Sequence, residues 1–291
     1  MKNEKPGTMP EVLTIHHAKP IDAMAAVTSK RAAADSVTGE VRINKLGVDF
    51  GLHKFGLKSG LGVGTNNLLI AGLAAFTIQN GFGKSKTINR PVTIPFDEYC
   101  CLVGYDISTK SRRDHAHEQI RQDLKTLQAV QLSWDDGKRW QSVNLLDSVG
   151  EVKRNRITMR FGQTFAEYLH KKPLVKIPKE LMRISGKNQT AYAIASKIIT
   201  HSGNKGNRGK GSSDRLKVGT LLNVSSLPDY ENVLKQRDSW RDRIRKPFEA
   251  NLDVIKRAGV INDWRYDKPI DPGENYHSFA ERLVIFEMPG E

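Results

Sequence analysis

Between Ser111 and Leu169 a basic amphipathic segment runs directly into short apolar strands, and this order constrains the fold more than any other feature of the chain. In SRRDHAHEQIRQDLKTLQAV, Ala116, Ile120, Leu124 and Leu127 recur at helical spacing and predict one buried face. Ser111 with Asp114 approximates a capping box, with Asp in place of the usual Glu or Gln. VQLSW and WQSVNLL then read as strands separated by the turn cluster DDGKR. A loop holding Lys153, Arg154 and Arg156 leads to a third strand, RITMRF.

A looser copy of the same order lies between Ser239 and Met288. There Trp240, Ile244, Phe248, Leu252 and Ile255 mark a helix that Pro247 should bend, and Gly259 should end it. VINDWRY and RLVIFEM follow as strands, joined by a long Pro/Gly loop placed as a second wing. Helix, strand, turn, strand is the order of a winged helix. The expected fold class is therefore α+β, mainly helical, with two tandem winged-helix domains.

The remaining segments set the expected domain limits. Residues 1–60 show no sustained periodicity and read as a flexible basic arm. The first winged-helix domain is expected over 61–202. It includes NNLLIAGLAAFTIQ, a helix apolar nearly all round that must be buried, and a short helix beginning near Pro95. GQTFAEYLHKK, LVKIPKELMRIS and NQTAYAIASKIITHS read as further helices. Residues 203–214, GNKGNRGKGSSD, contain no apolar side chain and are placed as a linker or loop. The second winged-helix domain is expected over 215–291, with RLKVGTLLN and DYENVLKQ as short helices.

Charge narrows the partners. The chain has 46 Lys and Arg against 32 Asp and Glu, a net charge of +14, which suits nucleic acid ahead of an anionic membrane. Cys100 and Cys101 are the only cysteines and are adjacent, so neither a disulfide framework nor a zinc site is expected. The longest apolar run, Leu68 to Phe76, is too short to span a bilayer, and the first thirty residues lack a continuous apolar core. A cytoplasmic protein is the expectation.

Candidate chemical motifs fail on spacing. GFGKS at Gly81–Ser85 would need a glycine at the position of Ile78 to cradle a nucleotide. Gly60, Gly62 and Gly64 lack the spacing of a dinucleotide fingerprint. His115 and His117 could hold a metal beside a nucleophile such as Tyr105 only if both imidazoles shared a face. Two residues apart on a helix they do not. No catalytic residue, cofactor or metal is expected, and the chain is read as a binding protein rather than an enzyme.

The basic residues carry the stronger case. Arg112, Arg113, His115, Gln119 and Gln122 lie along the start and outer side of the central helix, and Arg and Gln can make bidentate bonds to base edges. Lys138 and Arg139 in the first turn, with Lys153, Arg154 and Arg156 in the next loop, are placed to hold phosphates. In the second copy Arg237, Arg241, Arg243, Arg245 and Lys246 crowd the start of the helix and should repel one another unless an anion sits opposite.

The run WQSVNLLDSVGEVKRNRITMRFGQTFAEYL, followed by LMRISGKNQTAYAIASKII, resembles the first winged-helix domain of plasmid-type replication initiators. DYENVLKQRDSWRDRIRKPFEANLDVI, with the strand holding Trp264, is similar to their second domain. The resemblance covers roughly Pro91 to Met288; residues 203–214 are an insertion relative to it, and the first sixty residues have no counterpart. It implies a protein that binds repeated double-stranded sites in a replication origin, recruits the host initiator and helicase, and forms a homodimer. A transcriptional regulator using the same modules, and a metal-dependent nicking initiator, are the alternatives.

Overall fold

The computed structural model describes residues 12–27, 41–45, 48–52, 61–80, 89–135, 140–153, 155–203 and 214–289. The chain divides after Arg183 into two compact units, 1–183 and 184–291.

The first unit opens with β1 (Val12–His16) and α1 (Lys19–Val27), followed by the hairpin β2 (Val41–Lys45) and β3 (Val48–Leu52). Helix α2 (Val63–Asn80) comes next, then β4 (Val92–Pro95), α3 (Phe96–Val103) and α4 (Lys110–Ala129). Strands β5 (Val130–Asp135), β6 (Trp140–Asn144), β7 (Leu146–Lys153) and β8 (Arg156–Phe161) follow, and α5 (Gln163–His170), β9 (Leu174–Pro178) and α6 (Lys179–Met182) close the unit.

Helix α2 is the hub, buried from Leu68 to Thr77 and packed against β1, β4 and α4. Its apolar circumference admits no solvated face, as its sequence demands. Gly72 lets it approach the sheet: a Cβ there would lie 2.5 Å from Met159 Sδ. At its far end the Gln79 side chain closes the free edge of β4, donating to the Thr93 carbonyl (2.8 Å) and accepting from the Thr93 amide (3.1 Å).

Two larger sheets complete the unit, and α4 packs on β7 and runs directly into β5. One has the order β4-β8-β7 and the other β2-β3-β5-β6, all pairs antiparallel. The wing of this unit is therefore the β7–β8 hairpin, not the β5–β6 pair that the sequence suggests. Leu146–Lys153 forms a strand where a loop is expected, because its pairing with β8 supplies order that SVGEV lacks on hydrophobicity alone. Where β8 turns into α5, Gly162 passes so close to β6 that a Cβ would overlap the Asn144 carbonyl oxygen. Gly162→Ala should cost about 3 kcal/mol through this backbone clash, read as a lower denaturation midpoint at unchanged denaturant slope.

The first sixty residues are not merely a flexible arm. Strand β1 pairs antiparallel with β9, from Val12 opposite Pro178 to His16 opposite Leu174, and buries Leu13 and Ile15. Met24 of α1 is also buried. The partner strand, too, departs from the helix expected there. LVKIP, preceded by Pro173 and ending in Pro178, instead alternates exposed and buried residues at period two.

The second unit repeats the plan. Helix α7 (Gln189–Gly203) precedes β10 (Arg215–Lys217), α8 (Val218–Val224) and α9 (Tyr230–Lys235). A π-helical turn (Arg241–Arg245) leads into α10 (Lys246–Arg257), and β11 (Asp263–Tyr266), α11 (Tyr276–Glu281) and β12 (Leu283–Glu287) complete it. RLK is a strand, not the start of a helix, because it pairs with β12. The three-stranded sheet has the order β10-β12-β11, the same first–third–second order as β4-β8-β7. Each unit thus runs helix, strand, then two helices in the first unit (α3, α4) and three in the second (α8, α9, α10), and the last strand of its three-stranded sheet, β8 or β12, sits between the other two. Both are winged helices. The glycine-rich stretch 203–214, expected as the division between domains, lies mostly outside the described residues. The elements on either side of it, α7 and β10, fall in one unit, where α7 packs on α8 and α10.

Pro247 lies at the start of α10 and not inside an unbroken helix. It has no amide to donate, and its ring would press on the carbonyl four residues back. The widened turn before it, in which the Lys246 amide reaches back to the Arg241 carbonyl, accommodates that ring without ending the helix.

Candidate nucleic-acid interface

Helix α4 starts two residues earlier than its capping-box pattern suggests. Thr109 is the N-cap, its hydroxyl accepting the Arg112 amide at 3.3 Å, and Ser111 lies inside the helix. Ala116, Ile120, Leu124 and Leu127 are buried as expected. Arg112, His115, Gln119 and Gln122 are exposed and, three, four and three residues apart, form one stripe beside the buried face.

The polar stripe is held by its neighbours. Arg112 bonds to Asp106 and reaches Ser108 Oγ at 3.3 Å. Gln122 Nε2 donates to Glu118 Oε1 at 2.6 Å, and Arg121 pairs with the same carboxylate, which together hold the Glu118 carboxyl below its usual range. Gln119 reaches back to Asp123, whose Oδ1 also accepts the Thr65 hydroxyl at 2.6 Å. Asp123 is buried over the first turn of α2, with Oδ2 lacking a hydrogen-bond partner among the described residues. Gly64 makes the room, since a Cβ there would lie 2.8 Å from Oδ2. Burial pushes the Asp123 carboxyl up to about 6.

Arg113 is used differently from Arg112. Its Nη1 donates to Asp97 Oδ1 at 2.8 Å and to Asn155 Oδ1 at 3.5 Å, and its guanidinium lies 5.6 Å from the Phe96 ring centroid. Asn155 occupies the turn of the β7–β8 wing with φ of 61°, a left-handed conformation that Asn tolerates. Its carbonyl accepts the amide of Phe96, the first residue of α3, at 2.8 Å. Lys153 and Arg156 are paired in register at the base of this turn. Arg154, Lys138 and Arg139 lie outside the described residues.

His115 and His117 do not converge. His115 is exposed, whereas His117 stacks on Phe96 at 3.8 Å, and burial lowers its pKa. Burial and the Asp123 charge push the Tyr105 hydroxyl up to about 12, so it is no ready nucleophile. Among the described residues, no group of three or more His, Cys, Asp or Glu side chains is placed to hold a metal ion.

In the second unit the crowded basic residues find their anions within the protein. Arg243 pairs with Asp238 (2.8 Å), Arg245 with Glu249 (2.9 Å) and Lys246 with Asp242 (2.6 Å). The Lys246 bond in turn holds the Asp242 carboxyl below its usual range. The exposed pairs of Arg243 and Lys246 are worth at most about 1 kcal/mol each, so a phosphate can displace their carboxylates at small cost; Arg245–Glu249 is part-buried, and Glu249 also accepts the Tyr266 hydroxyl at 3.1 Å. Arg237 is exposed and has no carboxylate partner among the described residues. It sits at φ 55° just past α9, its amide bonding to Leu234 O and that of Asp238 to Val233 O. Glycine ordinarily fills this left-handed C-terminal position.

Arg241 turns away from the exposed face. It bonds to the Pro272 carbonyl and, at 3.3 Å, to that of Glu274, and lies 5.8 Å from the Trp240 ring centroid. Both carbonyls belong to residues 267–282, which join β11 to β12 in the position of a wing. Arg282 anchors the other end through Glu274 Oε1 (2.6 Å), Lys268 O (2.8 Å) and Pro269 O (2.9 Å). The Arg282 and Glu274 side chains are only 12% and 7% exposed. Tyr276 of α11 stacks on Tyr230 of α9 at 4.1 Å. The helix inside this expected loop has no sequence signal strong enough to predict it, although Asn275 caps it by accepting the Ser278 amide at 2.9 Å.

Comparison with known proteins agrees with this geometry. Residues 65–173 match the model of the family described as initiator replication protein, WH1. The crystal structure of the Pi initiator protein in complex with iteron DNA is similar with a TM-score of 0.57 at 12% sequence identity, covering 97% of this chain and all of that one. No curated protein sequence matches the chain. The resemblance to plasmid-type replication initiators read from the sequence is borne out.

Proposed function

We propose that this chain, whose residues 65–173 match the WH1 domain of initiator replication proteins, is itself a plasmid-type replication initiator that binds repeated double-stranded DNA sites at an origin. The observation that carries the reading is the duplicated winged helix, in which α4 and α10 each lead into strands and carry exposed basic side chains. The similar Pi initiator protein is seen bound to iteron DNA, which supports the same class of target. No described helix is long and apolar enough to cross a membrane. The protein works in the cytoplasm on plasmid DNA, as a homodimer when it represses and together with the host initiator and helicase when it initiates.

In this reading Arg112, His115, Gln119 and Gln122 face base edges from α4. Lys153, Arg154 and Arg156 at the wing, with Lys138 and Arg139, hold phosphates. Arg237, Arg243, Arg245 and Lys246 serve the second unit. The carboxylates that pair with Arg112, Arg243, Arg245 and Lys246 keep those side chains ordered until DNA replaces them.

Selection of duplexes from a random pool, followed by footprinting at physiological salt, tests the proposal. Phased direct repeats beside an AT-rich tract support an initiator, whereas a single inverted repeat points to a regulator. Arg112→Ala with Gln122→Ala should weaken the selected duplex about ten-fold or more and relax base preference. Lys153→Ala with Arg154→Ala should weaken all duplexes alike, lowering the salt slope by about one for each phosphate left without its cation. Equal effects of both pairs on selected and random duplexes would argue against α4 as the reading helix.

A further inference from the structure

Adjacent arginines in α4 have different environments. Arg112 is 58% exposed and bonds only within its own loop and helix, so it can swing to a ligand. Arg113 is 33% exposed and joins α4 to two further elements: α3, through Asp97 and the face of Phe96, and the wing turn, through Asn155. Asp97 lies in the first turn of α3, where the helix dipole favours its charge, so both ends of the ion pair are fixed. The wing turn is pinned twice, by the Asn155 side chain to Arg113 and by the Asn155 carbonyl to the Phe96 amide.

The second unit shows the same juxtaposition made from other atoms. Arg241, at the start of the third helix, reaches the Pro272 and Glu274 carbonyls in the segment that takes the wing's place. Here too a guanidinium, whose fork of five donors can bridge several acceptors, ties wing to helix.

We infer that Arg113 and Arg241 are positioning residues, each locking the wing of its unit to the start of the reading helix, and that they act on DNA recognition through the wing rather than by touching bases. This rests on the proposed DNA-binding function, and it reassigns two residues that the sequence places among the direct DNA contacts. A wing root free to rotate would carry Lys153 and Arg156 off the duplex backbone while leaving the α4 stripe seated.

Two variants separate the roles. Asn155→Gly keeps the left-handed turn and its backbone carbonyl and removes only the side-chain acceptor. Arg113→Ala removes the donor. In the free protein, both should speed amide hydrogen exchange at Phe96, with the denaturation midpoint close to wild type. Unchanged exchange at Phe96 in both would overturn the clamp without reference to DNA. With a duplex that the wild type selects from a random pool, each variant should bind about ten-fold more weakly, and the double variant no more weakly than either single one. Hydroxyl-radical footprints should lose the outer, wing-protected backbone positions and keep those under α4. If instead Asn155→Gly binds normally while Arg113→Ala loses protection under α4, Arg113 touches DNA directly and the inference fails. If the wild type selects no duplex at all, the DNA-binding proposal fails, and the exchange measurement still decides the clamp. Arg241→Ala should release residues 267–282 in the same assay.

Discussion

Asp123→Asn should make the protein more stable at pH 7 and erase most of the pH dependence of its stability between about pH 4 and pH 6. Burial raises the Asp123 carboxyl from an ordinary 3.8 to about 6 in the folded protein, more than the Thr65 and Gln119 hydrogen bonds lower it. The folded state therefore holds a proton that the unfolded chain releases. Its contribution to stability is fully present below about pH 4 and is lost as pH rises through 6, about 3 kcal/mol in all. Asparagine can still accept the Thr65 hydroxyl through its oxygen, and it is neutral at every pH. Urea unfolding of both proteins across pH 4–8 checks this. A variant less stable than wild type at pH 7 would mean that the charge itself is stabilised, by the start of α2, more than burial penalises it.

Breaking the Arg282–Glu274 pair should have the largest effect on the second unit. With both side chains almost wholly enclosed, Arg282→Met leaves a buried carboxylate without its cation, a loss of about 3–5 kcal/mol. The Lys268 and Pro269 carbonyls lose their donor as well. Adding Glu274→Gln should recover part of this, because the stranded charge is the main penalty. Thermal unfolding monitored at Trp240 and Trp264, both in this unit, reads the result. A single variant within 1 kcal/mol of wild type would show that water reaches the pair.

What can be read from the residues alone follows the range of the forces involved. The buried faces of α2 and α4 and the strand RITMRF are local patterns of 3.6 or 2 residues, and they predict themselves. Strand β1 does not, because its order comes from β9 more than 150 residues later, and five residues of alternation carry little weight without that partner. The positive residues of the second unit look self-repelling in sequence because their carboxylates, Asp238, Asp242 and Glu249, are interleaved with them and only the helix decides who meets whom. Arg112 and Arg113 are indistinguishable in sequence. What separates them is Asn155, 42 residues from Arg113, brought alongside by the β7–β8 hairpin.

The π-turn at Arg241–Arg245 can also be understood as a correction of helical phase. Trp240, Ile244, Phe248 and Leu252 are spaced four apart three times in succession. Each step of four overshoots a 3.6-residue turn by about 40°, so in an unbroken helix the row would drift about 120° around the axis and bring its last members toward water. One turn wound to five residues takes up that excess, and Ile244, Phe248, Leu252 and Ile255 all remain buried. The same unwinding sets the angular offset between Trp240, which precedes the correction, and Lys246 and Arg257, which follow it. A helical wheel drawn on 3.6 residues would therefore misplace the charged surface of this helix by nearly a third of a circle between its two ends.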